Sequence, residues 1–144
     1  MRTRIVLDTG PITLYFSKKP PIDIENLMHS VQQGEIEAEV ASPTLVEVFN
    51  QICISKGKEK ALQSQDSLAT TIPVAVIQLD QDLIARAGAL KCQYRKQLSY
   101  IDCIAISLAQ RDKAIFHTTE KELDPLHIPH LKVKKYAFAK KLGE

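Results

Sequence analysis

The chain has 144 residues and a mass of 16.1 kDa, a length that accommodates one domain and leaves no room for a separate binding module. Its residues are 44% hydrophobic and 25% charged, close to the average of globular proteins, so we expect a folded core. Nineteen Lys and Arg against 17 Asp and Glu give a net charge of +2, too balanced for a polybasic membrane or nucleic-acid binder. Any contact with nucleic acid must therefore come from local patches.

The cysteines and the apolar runs indicate where the protein resides. Cys53, Cys92 and Cys103 are odd in number and widely spaced, which fits neither a disulfide framework nor a paired-cysteine zinc site. No apolar run is long enough to span a membrane, and the start MRTRIVLDTG lacks the apolar stretch of a signal peptide. We therefore expect a soluble cytoplasmic protein with no membrane partner.

Short β-rich segments alternate with longer helical patterns along the chain. This alternation predicts an α/β fold, with three α/β/α layers around a central parallel sheet of about five strands. Without repeats, low-complexity blocks or Gly/Ser linkers, residues 1–144 are expected to form a single domain. The predicted strands are residues 4–7, 37–41, 73–79, 114–118 and 131–134.

Helix-start residues divide the segments between these strands. The segment after Asp8 has a helical pattern, and a second helix is expected to end near Gly34. Another helix should end at Gly57, with a core-facing stripe at i, i+3, i+4 and i+7. Lys56, Lys58 and Lys60 are interpreted as a basic loop after it. The predicted helix starts are Asp23, Ser42 with Pro43, Asp80 or Asp82, and Ser99.

Four acidic residues fall where an open α/β sheet binds ligands, beyond the carboxyl ends of its strands. Asp8 directly follows the strand IVL, and Glu120 follows AIFHTT. Glu47 lies in the second turn after Ser42, and Asp102 in the first turn after Ser99. Because parallel strands end at the same edge of a sheet, we expect the four carboxylates to gather there.

Each of these acids also has a structural interpretation. Asp8 can begin a turn or cap the next helix, and Asp102 is the acidic member of a capping box with Ser99. Glu47 lies opposite the core stripe and Glu120 in the charge run EKELD, where solvated side chains are the norm. Together, however, four clustered carboxylates would repel one another without a hard divalent cation such as Mg²⁺ or Mn²⁺. Such a cation acidifies bound water and supports phosphodiester hydrolysis.

Four stretches of the sequence resemble the PIN-domain ribonucleases, in particular small members such as the toxins of VapBC toxin–antitoxin systems. These stretches are IVLDTGPITLYF, SPTLVEVF, LSYIDCIAISLAQ and IFHTTEKEL, and the resemblance covers nearly the whole chain. It implies that Asp8, Glu47 and Asp102 are acidic metal-site residues, with Thr9 as the small hydroxyl beside the first.

The fourth acid departs from the pattern of the family. Relatives usually carry Asp in a segment T-x-D, whereas the aligned position here is Glu120, after Thr118 and Thr119. Glu is one methylene longer and can bind a metal directly or through water. A register shifted by two residues would make Glu122 the functional acid instead.

The resemblance also implies a sheet order of 3-2-1-4-5 and Mg²⁺- or Mn²⁺-dependent endonucleolytic cleavage of single-stranded or structured RNA. Toxin members of the family usually form homodimers and are blocked by an antitoxin chain. The departure at Glu120 leaves a second interpretation, a degenerate PIN-like domain that binds RNA or a protein without cutting. The string L-D-T-G is similar to the aspartic-protease fingerprint, but it occurs once and before a helical segment, which disfavours that class.

Histidines and basic clusters complete the set of candidate features. His117, His127 and His130 lack the spacing of a zinc site and are interpreted as surface residues. Lysines cluster on a helix around residues 91–96 and in a C-terminal region that contains Tyr136 and Phe138. Such clusters usually keep a surface soluble, but they also suit a phosphate backbone, and Tyr or Phe can stack on a base. The C-terminal lysines are Lys132, Lys134, Lys135, Lys140 and Lys141.

Overall fold

A computed structural model describes residues 2–138 and contains a central sheet of five parallel strands. The strand order is β3-β2-β1-β4-β5, so the predicted α/β fold and the order implied by the resemblance are confirmed. Residues 139–144, and with them the predicted basic residues Lys140 and Lys141, lie outside the described part. The strands are β1 Thr3–Leu7, β2 Ile36–Ala41, β3 Val74–Ile77, β4 Ile115–Thr118 and β5 Lys132–Lys135.

Six α-helices and one 3₁₀ turn at Asp124–Leu126 accompany the strands in the described residues. Buried side chains of α1–α4 pack against one face of the sheet, and those of α5 and α6 against the other. None of these helices is long and apolar enough to cross a lipid bilayer. The helices are α1 Thr9–Tyr15, α2 Ile22–Gln32, α3 Ser42–Lys56, α4 Lys58–Thr70, α5 Gln81–Gln93 and α6 Tyr100–Asp112.

The central strand β1 explains why the sheet is covered on both faces. Successive side chains of a strand point to opposite faces. Ile5 and Leu7 enter the core beneath α1–α4, whereas Val6 enters the core beneath α5 and α6. All three are at most 1% exposed. An apolar run buried on both faces is typical of a parallel sheet. Because β1 is the middle strand of the five, it ends in the middle of the carboxyl edge of the sheet.

The structure corrects the sequence prediction for residues 56–70. Lys58 and Lys60 lie in the first turn of α4, not in a basic loop. Gly57, with φ +94°, separates α3 from α4, a conformation that side-chain-bearing residues rarely adopt. The helical stripe of α4 is short: its buried residues are Ala61, Ser64 and Leu68, and the small first two give a weak apolar signal.

Two helix starts differ from the prediction, and two agree with it. Ala41 occupies the N-cap position of α3, so Ser42 is the first helical residue, and α2 begins at Ile22 rather than Asp23. Asp80 does cap α5, accepting a hydrogen bond from the Leu83 amide at 2.8 Å. Ser99 caps α6 as predicted.

The prediction of surface histidines is correct for His127 and His130 and wrong for His117. His117 is 6% exposed, and its Nδ1 lies 2.8 Å from the Tyr136 hydroxyl oxygen. Burial, with a smaller effect of Lys134, lowers the pKa of His117 to about 4. Tyr136 is itself 6% exposed, so its ring is not free to stack on a ligand.

Candidate active site

A polar cleft of about 350 Å³ opens beyond the carboxyl ends of β1 and β4. All four acids predicted from the sequence line it, and Glu122 is not among the lining residues. The cleft therefore contains Asp8, Glu47, Asp102 and Glu120 together with Thr9, Gly10, Gln51, Ser99, Thr119 and Phe138.

Asp8 lies deepest in this arrangement, between β1 and α1. Its backbone amide donates to the His117 carbonyl oxygen at 2.9 Å, which ties the end of β1 to β4. Although Asp8 occupies the N-cap position of α1, its side chain makes no capping hydrogen bond. Instead Oδ2 accepts a hydrogen bond from the Thr118 hydroxyl at 2.6 Å, while the buried Oδ1 has no hydrogen-bond partner.

The environment of Asp8 disfavours its charged form. Burial raises the pKa of this carboxyl to about 6, even though hydrogen bonds, led by the one from Thr118, oppose the shift. The carboxylates of Asp102 and Glu47 raise it further. An orphaned, desolvated carboxylate oxygen beside other acids is an unfavourable arrangement for a purely structural residue.

Glu47 projects from α3 and accepts a short hydrogen bond from the Thr9 hydroxyl. The structural interpretation of Glu47 as a solvated side chain opposite the core stripe is wrong, because Glu47 is half-buried and Thr44 on the same side of α3 is fully buried. Because α1 packs against α3, the α3 face next to α1 is covered. Thr9 thus holds one carboxylate oxygen of Glu47 at the cleft.

Asp102 both caps α6, as its structural interpretation predicts, and lines the cleft. Its backbone amide donates to Ser99 Oγ at 3.1 Å, and its Oδ2 accepts from the Ser99 amide at 3.2 Å, forming the predicted capping box. The capping bonds fix the first turn of α6 and the Asp102 side chain with it. The same side chain lines the cleft beside Asp8.

Glu120 follows β4 on a segment that Thr118 organises. Thr118 Oγ1 accepts a hydrogen bond from the Glu120 amide at 2.9 Å while donating its own proton to Asp8. Burial raises the pKa of Glu120, and the carboxylates of Asp102, Glu122 and Glu47 raise it further. The Glu122 side chain is exposed. The geometry therefore brings Glu120, rather than Glu122, towards the other three acids.

Gly10 allows α1 and the segment after β4 to approach closely. A Cβ added at Gly10 would lie 2.6 Å from Thr119 Cγ2 and 2.8 Å from Thr119 Cβ, closer than real side chains come. The branched Thr side chain has little freedom to turn away. Glycine at position 10 therefore permits the close approach of α1 to Thr119, the neighbour of Glu120.

The donor set fits a hard divalent cation. Within residues 2–138, no three His, Cys, Asp or Glu side chains are already arranged as a complete set of metal ligands. Mg²⁺ does not require such a set, because it keeps several waters and is held by one or two carboxylates. The unpartnered Oδ1 of Asp8, in a cleft that three further carboxylates line, supplies the oxygen chemistry that this ion prefers.

Several residues that line or support the cleft were not identified from the sequence as parts of the site, among them Thr118, Gly10 and Phe138. From the sequence, Thr118 has only a place before Glu120, and the pair T-T at the end of the predicted strand 114–118 is the one signal that marks it. Gly10 was read as part of a turn after Asp8. Phe138 was noted only as a ring in a basic region, and its place in the cleft depends on the whole fold.

Comparison with known families agrees with this geometry. Residues 5–126 match the PIN domain family, most of the chain and the part that carries all four acids. The chain belongs to the PIN-domain family. The membership predicted from its four sequence stretches is therefore confirmed, and Phe138 lies beyond the matched region. A search of curated protein sequences found no match.

Solved structures of VapBC toxin–antitoxin proteins share the fold of this PIN domain. A chain of VapBC2 from Rickettsia felis, bound to a promoter DNA fragment, is 19% identical with a TM-score of 0.71, covering 92% of this chain and 98% of that one. VapC20 from Mycobacterium tuberculosis, a sarcin–ricin loop cleaving toxin, is 12% identical with a TM-score of 0.68, covering 88% and 98%. A DNA-bound VapBC chain from Salmonella typhimurium is 17% identical with a TM-score of 0.71, covering 92% and 98%. At these identities the likeness establishes the fold, which is VapC-like.

Proposed function

We propose that this PIN domain is a metal-dependent endoribonuclease that hydrolyses RNA phosphodiester bonds with Mg²⁺ or Mn²⁺. The observation that carries the proposal is Asp8, 5% exposed, with one carboxylate oxygen unpartnered in a cleft lined by three further acids. A structural aspartate would use that oxygen to cap α1. The RNA-cleaving activity of the structurally similar VapC20 is consistent with the proposal.

Each side chain has a role in this proposal. The Thr118 hydroxyl holds Oδ2 of Asp8 and leaves Oδ1 free to bind a cation, and Thr9 orients Glu47 in the same way. Asp102 is fixed by its capping box, so its second oxygen can face the ion. Glu120 would hold the ion directly or through water. A cation held by these residues would acidify a bound water molecule and offset the charge that develops on the phosphate.

The test is cleavage of mixed RNA by the purified protein with and without metal. We expect cleavage with Mg²⁺ or Mn²⁺ and none in excess EDTA. Asp8→Asn should abolish cleavage while the protein stays folded, and Asp66→Asn, a matched change at an exposed residue of α4, should not. Undiminished cleavage in EDTA, or by the Asp8 variant, would contradict the proposal.

One observation favours a second candidate function, a PIN domain that binds RNA or protein without cutting. The acids of the described residues do not form a ready-made ligand set, and the fourth is Glu120 where relatives usually have Asp. This candidate predicts RNA or protein binding with no cleavage under any divalent metal. The same assay, run over several metals, separates the two functions.

We further propose that the protein acts in the cytoplasm as a homodimeric toxin with an antitoxin partner. The VapC-like fold supports this assignment, since solved structures of that fold are toxin–antitoxin complexes. A short neighbouring gene for a small DNA-binding protein would supply the antitoxin. Sedimentation of the isolated chain should give twice 16.1 kDa, and co-expression with the neighbouring product should suppress RNA cleavage.

A further inference from the structure

The cleft contains one apolar side chain among polar ones, that of Phe138. Phe138 is 55% exposed and lies among four carboxylates, two hydroxyl-bearing threonines, a serine and a glutamine. Isolated exposed apolar residues are common on protein surfaces and need no explanation. An aromatic ring left open inside a strongly polar cleft is different, because water and carboxylates give it no favourable neighbour there.

The position of Phe138 is fixed by the residues just before it. The Tyr136 amide donates to the Thr118 carbonyl oxygen at 2.9 Å, which extends the pairing with β4 one residue past the end of β5. The Tyr136 side chain is buried in the core, with its hydroxyl oxygen 2.8 Å from His117 Nδ1. Phe138 lies two residues after Tyr136, so the hydrogen bonds of Tyr136 hold the chain in a position that places the Phe138 ring at the cleft.

We propose that Phe138 stacks on an unpaired base of the RNA, next to the phosphodiester that is hydrolysed beside the four acids. This inference rests on the proposed function and adds a base-recognition element to it. Aromatic rings bind single-stranded nucleic acid by stacking, and every base has a face that can stack. Because Phe138 and the acids line one cleft of about 350 Å³, the stacked base belongs to a nucleotide adjoining the scissile phosphate.

Positively charged lysines on β5 precede Phe138, and they suit the phosphates on either side of the stacked nucleotide. Strand β5 carries exposed Lys132, Lys134 and Lys135, of which Lys135 is ion-paired with Asp124. The Lys134 ammonium lies 5.6 Å from the centre of the Tyr136 ring. Four extended residues, from 134 to 138, span about 13 Å, so Lys134 can bind a phosphate near the stacked base. A cation here also counters the repulsion between RNA and the acids.

The chain contains no tryptophan, so a single introduced indole can report on stacking directly. We would titrate Phe138→Trp with a single-stranded RNA in Ca²⁺ and follow tryptophan fluorescence, with RNA anisotropy as an independent measure of binding. The matched control is Ile84→Trp on α5, because Ile84 is 56% exposed and lies outside the cleft. Stacking predicts quenching in the Phe138 variant alone, and little quenching by the same strand in duplex form or with its bases removed.

Substitutions at Phe138 test whether the ring, rather than its bulk, is used. Phe138→Leu and Phe138→Ala should both raise KM roughly 5- to 100-fold and leave kcat within about twofold. Phe138→Trp, which keeps an aromatic ring, should have the KM of the parent protein. Lys134→Gln should reduce the steepness of the plot of log affinity against log salt concentration by about 0.7, because that is the effect of losing one phosphate contact with a single strand.

The outcomes separate this inference from the proposed function. RNA that binds without quenching Phe138→Trp, failure to bind RNA, or a Phe138→Leu enzyme with the parental KM would each overturn the inference. If the parent cleaves RNA while Phe138→Trp is not quenched, only the stacking role fails. If quenching occurs but the parent cleaves nothing with Mg²⁺ or Mn²⁺, the ribonuclease proposal fails and Phe138 remains an RNA-binding residue.

Discussion

At the scale of single residues, the buried carboxylate of Asp8 suits the proposed metal site but lowers the stability of the folded protein when it is ionised. Its pKa is about 6 in the folded protein against an ordinary value of 3.8, so the folded state binds its proton more tightly than the unfolded chain does. Stability is therefore lost as pH rises from 3.8 towards 6, and it stays lower above that range. The difference corresponds to about 3 kcal/mol at neutral pH.

We predict that Asp8→Asn stabilises the metal-free protein. Asparagine removes the buried charge and can still accept the Thr118 hydrogen bond, although its amide group lacks a partner at the Oδ1 position. In EDTA at pH 7.5, the free energy of unfolding in urea should rise by about 1 to 2 kcal/mol. The gain should disappear below about pH 4, where Asp8 is protonated in both states. A loss of stability at both pH values would make Asp8 a structural residue.

Glu120 is the residue at which the resemblance implies a departure from the family pattern. We predict that Glu120→Asp keeps or improves cleavage, because the longer side chain must fold back or act through water to reach the ion. Glu120→Gln should raise the metal concentration needed for half-maximal cleavage, since the charge is lost while the shape stays. Glu122→Gln, the matched control at an exposed site, should not change it. The opposite result for the two Gln variants would place the functional acid two residues later.

Glu39 on β2 is a second acid whose environment disfavours the charged form. The groups that shift its pKa are not among the residues that line the cleft. Burial raises the pKa of Glu39 to about 7, the Asp112 carboxyl raises it further, and Arg4 and Arg111 oppose the shift. Its Oε1 is buried without a hydrogen-bond partner. Stability contributed by protonated Glu39 is present below pH 4.5 and is lost as pH rises through 7.

We therefore predict that Glu39→Gln makes the protein more stable at pH 8 and leaves it unchanged below pH 4.5. Because solvent screens this partly exposed site, the expected gain is about 1 kcal/mol. Urea unfolding of parent and variant across this pH range measures it. A gain that is independent of pH would mean that the raised pKa of Glu39 is not its cause.

At the scale of secondary-structure elements, the contact between α1 and the segment after β4 determines the shape of the cleft. We predict that Gly10→Ala destabilises the protein by about 1 to 3 kcal/mol, because a methyl group there overlaps Thr119 and must push α1 away from Glu120. RNA cleavage per folded molecule should fall as well, since Asp8 and Glu120 would separate. Thermal unfolding and cleavage assays together measure both effects.

Gly88 provides the matched control for this substitution. It lies inside α5, and a Cβ added there meets nothing within 4 Å. Gly88→Ala should therefore stabilise the protein by about 0.5 to 1 kcal/mol through helix propensity and leave cleavage unchanged. If both alanine variants behave alike, the close approach of α1 to Thr119 is not a constraint on the site.

At the scale of the whole molecule, Cys103 reports on the stability of the fold. It is 1% exposed in the core beneath α5 and α6, and burial raises the pKa of its thiol to about 11. Cys92 is exposed, and both cysteines lack a disulfide. A thiol reagent can reach Cys103 only when the core opens.

We predict that, in a Cys53→Ser background, Cys92 reacts at the rate of a free thiol while Cys103 reacts only through unfolding. The free energy of opening obtained from Cys103 labelling should match that from urea unfolding of the same variant. Mass spectrometry of the labelled protein assigns each site. Labelling of Cys103 at a much lower opening free energy would show that α6, and Asp102 with it, opens while the rest of the domain stays folded.

The sequence by itself determined the five parallel strands of the sheet, and it predicted which acids lie at their carboxyl ends. Apolar runs such as IVL, buried on both faces, predict parallel strands, and local caps such as Ser99 with Asp102 fix helix starts, because these signals act over a few residues. Helix α4 escaped detection since its buried side is made of small residues, and Ser42 was misplaced by one position for lack of a distinguishing signal.

Only the tertiary structure decided the chemistry of the cleft. The hydrogen bond from Thr118 to Asp8 joins residues 110 positions apart, and the burial that raises the pKa of Asp8 depends on every element around it. The same holds for His117, read as a surface residue and found buried against Tyr136, and for Phe138 at the rim of the cleft. Desolvation and long-range contact depend on how distant segments pack, and no local pattern of residues encodes them.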